Sequence, residues 1–269
     1  MIRHINYLVV IGIALFTITS CTTEPEVETE NPETETTAPI EAKANFEAEE
    51  YLDYLDFNDS LAKANSLYYS REFNGNREWI EVVMTLDDSS RILKMVEQYL
   101  MGGAEAVYSN NFYFKDGYKY ATKQFFIESE GDSSYFVELL SFYDKDENVT
   151  ATKKRTAEYE NDLVNAQYMV APKQGCSTDR AFDIVNQEGE FRTTFQGFIE
   201  MQGFKYLIVG DDDQDGFSTA LVVQRTTPLI KELVGNESEL LGIPLRVSYQ
   251  TIVDATGSQQ ILMGVAREV

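Results

Sequence analysis

The chain has 269 residues, with 45 Asp and Glu against 22 Lys and Arg, and a formal net charge of −23. A surface this acidic repels nucleic acid and anionic headgroups, which argues against DNA or RNA as a partner. The single histidine is His4; residues 21–269 therefore offer no Ser-His-Asp triad, no Cys-His pair and no His-ligated zinc.

Residues 1–20 carry Arg3 and no acidic residue, and residues 7–18 form an apolar run of 12. That run is shorter than the roughly 20 helical residues needed to cross a hydrocarbon core about 30 Å thick. It fits a secretory signal with small residues before the cleavage point. The run ends in Ile18-Thr19-Ser20-Cys21, which resembles the lipobox of bacterial lipoprotein precursors. The resemblance implies removal of residues 1–20, lipidation of the Cys21 thiol and acylation of the new amino group. It implies a membrane-anchored protein of the bacterial cell envelope, most simply at the outer membrane, on its periplasmic or surface face. One fatty chain holds a protein marginally, at about 0.8 kcal/mol per buried CH₂, whereas two or more give stable anchoring. With Cys21 assigned to lipid, Cys176 is alone and no internal disulfide forms.

Residues 21–45 read as an acidic linker dense in Glu and Thr with interspersed Pro. Like charges repel and little apolar surface repays ordering, so an extended, disordered tether is expected, about 80 Å at full stretch. Its acidic run after Cys21 resembles a surface-sorting signal of some bacterial lipoproteins.

Residues 46–172 are expected to form an antiparallel β domain with helices. A helix or two spans 48–69, and 79–84 is a strand. Residues 91–100 fit one helical face, but the surrounding β pattern favours a strand. The clearest hairpin is 108–114 and 118–127 around Lys115-Asp116-Gly117, because an Asp-Gly pair between alternating runs accepts positive φ. Strands at 135–143 and 149–155 follow. A helix is then expected with Tyr159, Leu163, Ala166 and Val170 on one face, stopped by Pro172.

Residues 173–269 are expected to form a second domain. A short helix begins at Asp179, with Ala181, Ile184 and Val185 inward. Strands follow at 191–200, 205–209 and 219–224. Thr227 sits at an N-cap with Pro228 at the first helical position, Leu229, Ile230, Leu233 and Val234 form an apolar face, and Gly235 closes the helix. Strands at 245–253 and 259–267 complete the chain through Thr256-Gly257. This β-β-β-α-β-β order resembles an OB-fold, a five-stranded barrel with its helix between strands three and four. Gly197 inside the first strand fits the sharp bend such barrels make there. The expected fold class is α+β, mainly antiparallel β: a β-meander domain with flanking helices followed by an OB-like five-stranded barrel.

No catalytic residues emerge. Asp211, Asp213 and Asp215 stand in Asp-x-Asp-x-Asp-Gly spacing, which suits calcium because hard oxygens converge around a glycine turn. The twelfth position is Val222 rather than a bidentate acid, and flanking helices are not expected, so a solvated hairpin tip is the plainer reading. No other cofactor is implied. Cys176 reads as a small, partly buried residue, with Arg180 the nearby cation able to activate it. Ser60 to Lys63 has Ser-x-x-Lys spacing without companion motifs. Phe112, Phe114, Tyr118, Tyr120, Phe125 and Phe126 read as sheet core before they read as a sugar or peptide platform.

The functional expectation is a non-enzymatic binding or assembly module with an unknown envelope protein or glycan as partner. The alternatives are a carboxylate-based hydrolase acting on envelope glycans and a calcium-stabilised binding module. Changing Cys21 to Ser is expected to shift the protein from the membrane to the soluble fraction. Intact mass of the wild type is expected to exceed that of the processed chain by the acyl groups, and a bare sulfur would remove the anchor.

Overall fold

The computed structural model describes residues 38–268 except 105, 132, 214, 255 and 256, with side chains left out for 38–46, 130 and 254. The signal, Cys21, the linker up to residue 37 and Thr256 of the last turn lie outside the described residues. Residues Phe46–Val269 form one compact unit. No helix among the described residues is long and apolar enough to cross a membrane.

Helix α1 spans Ala38–Phe57. It begins inside the segment read as an extended linker, with Pro39 in its first turn, where a missing N–H costs nothing. Ala48, Leu52 and Leu55 recur at helical spacing and are buried. The helix stops where the Asn58 side chain accepts a hydrogen bond from the Ser60 amide at 3.0 Å, a local turn that competes with helix. The expected helix through residue 69 is therefore cut short. Residues Ala62–Asn65 (β1) are instead drawn into pairing with β3 (Asn76–Leu86), and Tyr69–Phe73 (β2) pairs along the same edge.

An antiparallel meander follows: β4 (Ile92–Leu100), β5 (Tyr108–Lys115), β6 (Tyr118–Glu130), β7 (Ser133–Tyr143) and β8 (Val149–Ala157). The ambiguous segment 91–100 is a strand because β3 and β5 flank it on both sides. The Asp-Gly hairpin forms as expected, with Asp116 at φ 53 and Gly117 at φ 85 and Lys115 opposite Tyr118. The helix expected over 159–170 is a single turn, α2 (Glu160–Leu163), followed by β9 (Met169–Val170), which pairs with Lys153 and Lys154 of β8. Its apolar stripe had nothing to pack on: only Leu163 is buried, while Tyr159 and Val170 are exposed.

Beyond it lie α3 (Asp179–Asn186), a 3₁₀ turn at Gly189–Phe191, β10 (Thr194–Met201), β11 (Phe204–Gly210), β12 (Ser218–Val222), α4 (Pro228–Gly235), α5 (Glu237–Leu240), β13 (Leu245–Asp254) and β14 (Gly257–Arg267). The Thr227 cap forms, its side chain accepting from the Ile230 amide at 3.3 Å. Helix α5 was not expected from the sequence. Its Glu237 accepts the Phe198 amide at 2.9 Å, freed where β10 bulges between Phe195 and Gly197. Gly197 sits at φ 119, and a side chain there would press on Glu237, so the bulge requires glycine.

β10, β11 and β12 are antiparallel; β12 then meets β14 in parallel at Val222↔Ile261 and β2 antiparallel at Ser218↔Ser70. β14 pairs with β13 along its whole length. Thr193 to Phe195 exchange backbone hydrogen bonds with Gly242 to Leu245 at 2.8–2.9 Å. The architecture is thus mainly antiparallel β with a few helices. The strands join in one sheet that is not closed, and residue 173 lies within the compact unit.

Strand alternation gives the meander two buried faces. Tyr113, Ala121, Leu140 and Phe142 meet Ala48, Leu52 and Leu55 of α1. Ile80, Val82, Met95 and Phe112 point the other way, into a larger core with Ile184, Phe191, Phe195, Leu207, Phe217, Leu233 and Val247. Each face also holds a charge matched by its cover. Asp56 of α1 reaches Lys94 at 2.6 Å, Lys123 at 2.8 Å and the Tyr113 hydroxyl at 2.8 Å. Arg180 of α3 grips the buried Glu97 at 2.7 and 2.9 Å.

Burial alone raises the Asp56 carboxyl, but Lys123 and then Lys94 outweigh it and hold the group below the ordinary carboxylate range. The sign follows: a depressed native value stabilises above the unfolded value, near pH 4, and that contribution fades as pH falls further. Asp56→Ala strands two largely buried lysines and is expected to lower stability by about 3 kcal/mol at pH 7, read from urea unfolding. The difference from wild type is expected to shrink below about pH 4.

Candidate functional site

A cleft of about 750 Å³ lies where β2 and β3 approach β11, β12 and the β13–β14 hairpin. Tyr68, Arg77 and Glu81 line one side, and Tyr206 and Val222, directly paired across β11 and β12, line the other. Met201 of the β10–β11 hairpin and Val253 of the β13–β14 hairpin stand at the rim, and both are exposed. The remaining lining is rich in amides and hydroxyls: Asn65, Gln259 and Gln260, with Ser70, Thr219, Thr251 and Ser258.

Strand alternation builds the first wall. Arg77, Trp79 and Glu81 share one face of β3, while Glu78, Ile80 and Val82 face the core. Tyr68 stacks on Trp79, with ring centroids 5.6 Å apart and planes 22° apart. The stack fixes Tyr68 from behind while it lines the cleft. Burial raises the Tyr68 hydroxyl above its ordinary range, although Arg77 beside it pulls the other way.

Gln260 holds the junction together. Its Oε1 accepts the Tyr68 amide at 2.9 Å, and its Nε2 donates to the Ser66 carbonyl at 2.8 Å. A buried primary amide with satisfied donor and acceptor fixes β14 against the segment entering β2.

Glu81 differs from the other sequestered acids of α1 and the strands. Asp56, Glu78, Glu97 and Glu138 each have a Lys or Arg nitrogen within 3 Å. Glu81 has no hydrogen bond or ion pair among the described residues. Burial pushes its carboxyl above the ordinary range, with no opposing cation to bring it down. A perturbed acid without a structural partner, in a cleft, marks a candidate functional group.

The residues singled out from the sequence fall elsewhere. The carboxylates of Asp211, Asp212 and Asp213 gather within 4.8 Å of one another. Asp215 lines the adjoining hollow with Arg71, Phe73 and Phe217. Arg192 already donates to Asp211 at 2.9 Å and to Asp212, so part of the acidity is internally balanced.

Cys176 is half-buried, and its thiol is pushed up to about 11 by burial and by Glu97, against Lys119 and Arg180. Arg180 is committed to Glu97, so the one cation expected to activate the thiol is spent on packing α3. Ser60 hydrogen-bonds Asn58 and Lys63 meets Asp59, so the Ser-x-x-Lys pair does not converge. Phe112 is core, Phe114 packs on Phe182, and Phe125 stacks on Phe136.

The cleft residues went unrecognised in the sequence, although one signal was present. The only Trp of the chain alternates with Arg77 and Glu81 on a strand whose other face carries Ile80, Val82 and Met84. Compared with protein-family models, curated proteins and solved structures, the chain matches none of them.

Proposed function

We propose that this protein is a non-enzymatic binding module of the bacterial cell envelope, tethered by lipid on Cys21, that holds a glycan in the cleft beside Tyr68. The cleft's lining carries the reading. A tyrosine ring backed by Trp79 offers an apolar face to the C–H side of a sugar, and the planar amides and hydroxyls match its hydroxyl groups. The net charge of −23 disfavours a nucleic acid in the same place.

The OB-like reading of the last five strands supports this function. The order β10-β11-β12-α4-β13-β14, with the short α5 after α4, the parallel contact of β12 with β14, and the hydrogen bonds between Thr193 to Phe195 and Gly242 to Leu245 favour that reading, although the sheet is not closed. OB-folds bind oligosaccharides on strands two and three and the loops after strands one and four. Those elements correspond here to β11, β12 and the two hairpins that carry Met201 and Val253.

Hydrolysis by paired carboxylates would need a second acid facing Glu81, and Glu81 is the one carboxylate among the described residues lining the cleft. The Asp211–Asp213 triplet supports a separate calcium reading. If calcium binds the native state there, millimolar calcium raises the melting midpoint; an unchanged midpoint removes it.

Calorimetric titration of the full chain with oligosaccharides released from the native envelope tests the main proposal. Tyr68→Ala is expected to weaken binding about tenfold, near 1.4 kcal/mol, at unchanged fold. Wild-type affinity in that variant would place the ligand elsewhere.

A further inference from the structure

The sheet neutralises its sequestered acids with great regularity, and Glu81 is where that regularity breaks. Lys94 and Lys123 serve Asp56, Arg71 serves Glu78, Arg180 serves Glu97 and Arg155 serves Glu138. By register, Glu81 shares its sheet face with Val83, Val96 and Lys94, the face that α1 covers further along. The buried cluster that α1 forms draws on β4 to β8 and not on β3, and among the described residues no Lys or Arg pairs with Glu81. Its strand neighbour Arg77 does not substitute. Four residues along an extended strand place the two about 13 Å apart at the backbone, with Trp79 between them, and Arg77 engages Tyr68 instead.

We infer that Glu81 is a ligand-side charge partner, and that the glycan taken by the cleft carries a free ammonium group, as an unacetylated amino sugar does. This rests on the glycan reading of the cleft and narrows it to a cationic sugar. A half-buried carboxylate with no internal partner is solvated poorly, and an entering ammonium restores both its charge balance and its hydrogen bonding. The Tyr68–Trp79 stack next to it offers a π face to the same cation. The acidic field of the whole chain raises the local concentration of such a ligand.

The test compares two tetramers of one backbone, the glucosamine tetramer with free amines and its fully N-acetylated counterpart. Each is titrated into the full chain, held in a detergent without a sugar head, at 0.15 M salt. Wild type is expected to bind the free amine at least tenfold more tightly, and in Glu81→Gln the ratio of the two affinities is expected to fall to about one. The variant retains the general acidity of the chain, so a preference due to net charge alone would survive in it.

Equal affinities in wild type, or a preference that persists in Glu81→Gln, overturns the inference and leaves the glycan cleft standing. Binding of neither tetramer by wild type also overturns the inference, while the glycan cleft is judged by the titration with envelope oligosaccharides. Glu81 has no partner to lose, so the variant is expected to melt with wild type. If it melts lower, Glu81→Asp, which keeps the charge, must recover the preference or the inference fails.

Discussion

A charge buried on one face of a sheet is neutralised only by whatever lies over that face, and this constraint organises the molecule. Hydrophobic burial is non-directional and would let α1 slide or tilt across Tyr113, Ala121 and Leu140. Asp56 removes that freedom, because Lys94, Lys123 and the Tyr113 hydroxyl converge on one carboxylate. On the opposite face, Glu97 accepts from Arg180 and from Asn110 at 2.6 Å, which fixes α3. Burying an ion pair adds little net stability, but leaving one partner unmatched is costly, so the pairs act mainly as position markers.

The same logic explains the cleft. Covers are finite, and beyond the reach of α1 the wall Arg77–Trp79–Glu81 meets the outer side of β11 and β12 across open space. Gln260 sets the distance by bonding the Ser66 carbonyl and the Tyr68 amide from β14. The cleft is therefore a product of how two strand systems join, with β12 shared between β2 at one end and β14 at the other.

Much of the secondary structure was legible in the sequence. The Asp116-Gly117 turn, the Thr227-Pro228 start of α4 and the inward set of α3 are local chemistry, written in residues adjacent to one another. Where local reading failed, a partner strand overrode it. Residues 62–69 were drawn out of a helix by pairing along β3, and the stripe Tyr159, Leu163, Ala166, Val170 had no surface to pack against. The candidate site was far less visible. Asp211, Asp213 and Asp215 attract notice because they are contiguous, whereas Tyr68, Glu81, Tyr206 and Gln260 come from segments up to 192 residues apart.

The sequence by itself determined the charge, the absence of imidazole after residue 20, the lipobox resemblance and the period-2 strands, since each is a property of composition or of neighbours along the chain. Only the tertiary structure decided which acids acquire a cation. That outcome depends on which element covers which face, and no single segment holds that information. Glu97 and Glu81 are both glutamates on adjacent strands; one lies beneath α3, and the other lies open at the edge of a cleft.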